Sequence, residues 1–158
     1  MYALRPLYGQ NVLDFAEEVA GMIEELICVK GCEDIVALDP YKITITKSCV
    51  ISDSSVIGID ADKAASEINK RMKDALKERK KLHVIIRAGD VEDNLVTFGS
   101  FNLVMSSKKN LVITKTDFCD KATIGVRANK AARDLSRELV KAMRVPDALI
   151  EIILRVDA

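Results

Sequence analysis

The chain contains no tryptophan, a single histidine, three prolines and seven glycines among its 158 residues. So little proline and glycine excludes collagen-like and low-complexity classes. An apolar fraction of 49% excludes disorder as the main state. Charge of one sign is lacking as well: 24 Lys and Arg meet 24 Asp and Glu, so no net field draws polyanions to the molecule. No stretch approaches the roughly 18 apolar residues of a membrane span. The start, MYALRPLYGQ, lacks the basic head and apolar run of a secretory signal. Cys28, Cys32, Cys49 and Cys119 have neither C-x-x-C nor disulfide-dense spacing. They read as small hydrophobes of a reducing compartment. A metal site would need histidines, and His83 stands alone. The expectation is a cytoplasmic protein with no cofactor, no metal and no membrane contact.

What is present is an internal repeat. Gly31-Cys32-Glu33-Asp34-Ile35-Val36 aligns with Gly99-Ser100-Phe101-Asn102-Leu103-Val104, and Ile45-Thr46-Lys47 with Ile113-Thr114-Lys115. After a one-residue deletion in the second copy, Asp53 matches Asp120. Ala61-Asp62-Lys63-Ala64-Ala65 then matches Ala128-Asn129-Lys130-Ala131-Ala132. The repeat divides the chain into residues 22–89 and 90–158, two pseudo-symmetric copies fused in one domain, since each is too small to hold a core alone. Residues 1–21 stand outside it. There Val12, Phe15, Ala16, Val19 and Ala20 fit a short amphipathic helix capped by Asn11. The competing reading places the true start at Met22.

Each copy reads as several strands plus one helix, an α+β class, in a mixed sheet or a partly closed barrel. Strands are expected near 24–29, 34–38, 42–47, 55–60 and 82–88, where Ile and Val lie between turn residues. Their counterparts fall near 93–98, 101–105, 110–115, 122–127 and 148–156. Apolar periodicity predicts helices over 62–80 and 129–144, the second stopped by Val145-Pro146-Asp147.

Comparing the copies filters the chemistry. Cys28 faces Val96, Cys32 faces Ser100, Cys119 faces Ser52 and His83 faces Ile150, so no nucleophile or ligand recurs. Phosphate-loop, dinucleotide and zinc-peptidase motifs are missing, and the reading leans away from an enzyme. The strand-to-helix junction does recur. Gly58 and Gly125 lie inside strands, where glycine marks a close approach of backbone or ligand. Asp62 and Asn129 stand where a helix N-cap belongs. Lys63 and Lys130 then fall in the first turn, where a cation costs roughly 0.3–1 kcal/mol against the helix dipole. Either nearby carboxylates (Asp60, Asp53, Asp120) offset that cost, or a bound anion does, with Lys47 and Lys115 converging on the same place. Residues 62–81 carry eight basic against four acidic side chains. With aromatics at only 4%, the stacking platforms of an RNA-binding face are scarce.

The run Ile57-Gly58-Ile59-Asp60-Ala61-Asp62-Lys63-Ala64-Ala65, with its second copy from Ile124 to Ala132, resembles a family of small, mostly archaeal proteins catalogued as domain of unknown function 371. The resemblance extends from about residue 22 to the end. It implies a cytoplasmic archaeal protein and brings no established activity or cofactor. The family pattern often places histidines after the first-repeat glycine and in the following turn, where this chain has Cys32 and Asp39 or a neighbour of it. The leading expectation is a non-catalytic binding module for a small anionic ligand at the helix starts, with Gly58, Asp62, Lys63, Gly125, Asn129, Lys130, Lys47 and Lys115 as its residues. The alternative is a structural protein that assembles as a homodimer, in which the motif serves the fold alone. RNA binding, or an enzyme with an asymmetric site, ranks third.

Overall fold

A computed structural model describes residues 21–157. Eight strands and two short helices follow one another: β1 (Met22–Lys30), β2 (Lys42–Thr46), β3 (Val56–Gly58), α1 (Lys70–Lys77), β4 (Lys81–Ala88), β5 (Val91–Phe98), β6 (Asn110–Thr114), β7 (Thr123–Gly125), α2 (Arg137–Met143) and β8 (Leu149–Asp157). A single 3-10 turn precedes each helix, at Ala65–Glu67 and Ala132–Asp134. The class is α+β, as the composition and patterning imply.

The strands form two four-stranded sheets, β1-β8-β4-β5 and β3-β2-β6-β7. The first is wholly antiparallel. The second is mixed, with β2–β6 antiparallel and β2–β3 and β6–β7 parallel. The described strands do not close into a barrel. Two isolated bridges, Lys30 with Ile59 and Phe98 with Val126, join the sheets at opposite corners. Period-2 patterning explains the core: Ile23, Ile27 and Val29 of β1 face Leu82, Val84 and Ile86 of β4 and Ile152 and Leu154 of β8 on one side of the first sheet. Ile43, Ile45, Leu111 and Ile113 approach from the second sheet, and Met72, Leu76, Leu139 and Met143 from the helices.

Two expectations need correction. Residues 34–38 and 101–105 are not strands. Their alternation is real, since Ile35, Ala37, Leu103 and Met105 are buried. Ala37 and Met105, however, both sit at φ 52°, which breaks any extended ladder. The amides after them go to loop carbonyls instead: Leu38 and Asp39 donate to Ser54 O, and Ser106 and Ser107 to Lys121 O.

The long helices over 62–80 and 129–144 are also absent. Ala64 and Ala131 are extended (ψ −177° and −176°). Ile68 and Leu135, both buried, return to the β region before the helix can run on. α1 and α2 begin only after Asn69 and Ser136. The Asn69 side chain accepts from Arg71 N and Met72 N, and the Ser136 hydroxyl from Leu139 N. Apolar spacing cannot register such a break, because both short helices keep the face the longer ones would have had.

Candidate functional site

The recurring junction is an extended strap along a sheet edge. At its start, Ile59 exchanges two backbone hydrogen bonds with Lys30, at 2.7 and 3.0 Å. Asp60 turns the chain at φ 51°, and Ala61 N donates to Thr46 O. Asp62 N then donates to Cys28 O at 3.1 Å, while Asp62 Oδ1 accepts from Cys28 N at 3.0 Å. Both hydrogen-bonding groups of Cys28 on the open edge of β1 are thereby occupied. On β5, Val126 exchanges bonds with Phe98 and Arg127 turns at φ 51°. Asn129 N donates to Val96 O and Asn129 Oδ1 accepts from Val96 N, each at 3.0 Å. Asp62 and Asn129 are therefore not helix N-caps. Each uses one side-chain oxygen where a neighbouring strand would offer a carbonyl, which explains why carboxylate and carboxamide serve equally.

Gly58 and Gly125 lie under this strap. A Cβ on Gly58 would stand 2.2 Å from Val29 Cγ2, and one on Gly125 would stand 2.6 Å from both Cγ2 and Oγ1 of Thr97. The close neighbour of each glycine is a side chain of the facing strand.

The lysines are likewise engaged. Lys63 Nζ bonds the Glu25 carboxylate and reaches Leu26 O at 3.2 Å. Glu25 Oε1 accepts from Asn69 N at 2.7 Å. Lys130 Nζ bonds Asp93 Oδ1 at 2.6 Å, and Asp93 Oδ2 accepts from Ser136 N at 2.9 Å. Lys47 pairs with Glu67 at 2.5 Å and Lys115 with Asp134 at 2.8 Å. Glu67 and Asp134 each also accept the backbone N–H three residues earlier, at Ala64 and Ala131. Neither Lys63 nor Lys130 sits in a helical first turn, so the helix-dipole cost does not arise. The carboxylates nearest them are Glu25 and Asp93, not Asp60, Asp53 or Asp120.

Glu25 and Asp93 show how strongly these pairs are built in, with side chains only 8% and 13% exposed. Burial pushes the Asp93 carboxyl up. The Lys130 hydrogen bond, the N–H groups of Ser136 and Asn94 and the lysine charge outweigh it and hold the group below its ordinary value. Asp134 is lowered chiefly by its hydrogen bond from Lys115, and Glu67 by that from Lys47. The sequence reading missed these four acids. A signal was available: Glu25 and Asp93 align at the same 68-residue offset as Lys47 and Lys115, and Glu67 and Asp134 at the 67-residue offset of the lysines.

Elsewhere, burial raises the Cys28 thiol, with Asp62 and Glu151 adding to it. Cys32 packs partly buried against the core, and Asp39 Oδ1 caps a turn by accepting from Tyr41 N and Lys42 N. Among the described residues, no group of three His, Cys, Asp or Glu side chains is placed to hold a metal ion. No described helix is long and apolar enough to cross a membrane. A groove of about 310 Å³ opens between loop 34–38 and α2, lined by Val36, Leu38, Arg137, Val140, Lys141 and Arg144. Arg137 is fixed there by the carbonyls of Ala37, Ala132, Arg133 and Leu135.

Residues 27–157 match the family described as Domain of unknown function (DUF371). The matched segment covers both straps and every strand from the middle of β1 onward. The chain belongs to the DUF371 family. It is similar to the uncharacterized protein MJ0206 of Methanocaldococcus jannaschii, 30% identical over 130 residues, which is 81% of this chain and 96% of that protein.

Proposed function

We propose that this DUF371 chain is a non-catalytic assembly protein built from two pseudo-symmetric repeats, and that its paired Ala-Asp/Asn-Lys-Ala-Ala motif is an edge clasp and not a ligand site. One observation carries the reading. Glu25 and Asp93 each give one oxygen to a lysine and the other to the N–H of a helix-capping residue. Strap, strand and helix start are locked through a single carboxylate, and each lysine is held by that carboxylate instead of by a ligand. Assembly with a second copy is supported by the exposed apolar residues Val36, Leu38 and Tyr41, at 42, 55 and 63% exposure along one loop.

The test is thermal unfolding of a Lys63→Ala, Lys130→Ala double variant, with and without a panel of nucleotides, phosphometabolites and organic acids. Stripping the cation from a largely buried carboxylate costs on the order of 1–3 kcal/mol at each site, so a clear drop in midpoint is expected and no ligand should restore it. An unchanged midpoint would overturn the clasp. So would a wild-type shift from a phosphorylated ligand that vanished in the double variant. Sedimentation of the wild type across a concentration series tests assembly, and a monomer at every concentration would remove that part.

A small anionic ligand remains the second reading, supported now by the groove beside α2. Its apolar Val36, Leu38 and Val140 lie next to Lys141 and Arg144. A ligand carrying both an anionic and an apolar group suits that lining.

A further inference from the structure

Two corners of the molecule share one backbone and differ in chemistry. In each, a glycine amide closes the turn after a helix: Gly31 N donates to Ala148 O and Gly99 N to Lys80 O, both at 2.8 Å. Each turn has one left-handed residue, Asp147 at φ 61° and Arg79 at φ 69°. A second left-handed residue stands where the strap leaves the bridge, Asp60 and Arg127, both at φ 51°. Aspartate is several-fold enriched in this conformation and arginine is not. Aspartate thus serves the backbone at both places, and the second corner holds arginine there against local preference.

The neighbouring positions change in the same sense. Lys30, Glu33 and Leu149 of the first corner stand where the second has Phe98, Phe101 and Lys81, and Lys80 takes the place of Ala148. Three acids and one base give way to four bases and two aromatic rings. Arg79 lies over the Phe101 ring and Arg127 over the Phe98 ring, 5.4 and 5.5 Å from their centroids. Phe101 is 72% exposed, which leaves room for a second planar group on its other face. Arg127 also meets Asp117 at 3.5 Å, while Lys80 and Lys81 make no ion pair among the described residues. Rings and guanidinium planes receive unstacked bases, and cations beside them hold the backbone phosphates. A duplex keeps its bases stacked on one another and offers none to Phe101.

We propose that this corner binds single-stranded nucleic acid, with bases on Phe101 and Phe98 and phosphates on Lys80 and Lys81. The carboxylates and lysines of the clasp take no part, so the two readings stand or fall separately. The short helix expected within residues 12–20 lies outside the described residues and is not involved. The test is fluorescence anisotropy of labelled oligo(U) and oligo(dT) of about ten nucleotides, titrated with the full 158-residue chain to about 100 μM. Binding is expected, and raising NaCl from about 50 to about 200 mM should weaken it roughly 20–50-fold, as three or four neutralised phosphates require. Phe101→Ala should weaken it at least about fivefold through lost stacking. Glu33→Ala, at the matching place in the first corner, should leave it unchanged. An Arg79→Asp, Arg127→Asp double variant carries the residues that the same backbone holds in the first corner. Its thermal midpoint should stay near the wild-type value while binding falls at least about tenfold. No binding to either oligonucleotide at the lower salt would overturn the proposal. So would binding that Phe101→Ala and the double variant leave unchanged, or a preference for a duplex of the same length. Adsorption to phosphatidylserine vesicles without oligonucleotide binding would also overturn it and give the corner to a membrane surface.

Discussion

Replacing Gly58 with alanine probes the tightest point of the strap. The new methyl would lie 2.2 Å from Val29 Cγ2 and 2.8 Å from Val29 Cβ. Val29 is 1% exposed and β-branched, with little rotamer freedom to retreat. Relief must come from moving β1 against β3 at the corner where Lys30 and Ile59 exchange their bonds. Overpacking a rigid core costs typically 1–3 kcal/mol, and the position of Val29 Cβ puts this case toward the upper end, about 2–3 kcal/mol. For a chain of this size that corresponds to a fall in Tm of roughly 4–12 °C. Urea unfolding with a fixed m-value would report the change directly. Truncating Val29→Ala alone should cost about 2 kcal/mol in lost burial and cavity. In the double variant the alanine methyl occupies the space vacated by Cγ2, so the two losses should fall short of adding by at least about 1 kcal/mol. A Gly58→Ala variant within 0.5 kcal/mol of wild type, or strictly additive losses, would refute the close-approach argument.

Gly125→Ala should be at least as costly, because Thr97 cannot yield without disturbing its 2.8 Å hydrogen bond to Val126 O, and chemical denaturation of the two alanine variants side by side will rank them. The depressed acidity of Asp93 is a stability term present above the unfolded carboxyl value, near pH 3.9, and lost as the pH falls through the lower folded value. Asp93→Asn should therefore be less stable than wild type at pH 7, the gap closing in acid below about pH 4, as unfolding curves over a pH series would show. Asn69→Ala removes the side chain that accepts two first-turn amides of α1 and should cost about 1 kcal/mol, read from the urea midpoint. Alkylation at pH 7.5 followed by peptide mass mapping should label exposed Cys49 well before Cys28, whose thiol is raised by burial.

The close approach at Gly58 and Gly125 was legible because a strand interior has little other use for glycine. Eight of the ten expected strands are present. The two that fail, 34–38 and 101–105, fail through a local backbone choice at Ala37 and Met105 to which hydropathy is blind. The helix starts were misplaced for a related reason. Asp62-Lys63-Ala64-Ala65 has the composition of a helix start, and only the tertiary partners Cys28 and Glu25, more than thirty residues away, hold it extended. Local propensity favoured one conformation and long-range hydrogen bonds imposed another. The acids were present in the sequence, but nothing in their spacing pairs Glu25 with Lys63, since that contact exists only once the strap lies along β1.

The order β1-β8-β4-β5 places the last described strand between β1 and β4, both of which precede it by more than 60 residues. Met22 pairs with Asp157, and all nine residues of β1 are matched to β8. During synthesis, the edge of β1 that pairs with β8 must therefore wait until residues 149–157 have left the ribosome. Pairing of such sequence-distant segments is slow, and an unsatisfied strand edge is prone to aggregate meanwhile. The chain cannot mature half by half as it emerges. A product stalled or cut before β8 would lack the strand that bridges β1 and β4, and would be a substrate for chaperones and proteases rather than a partly working protein.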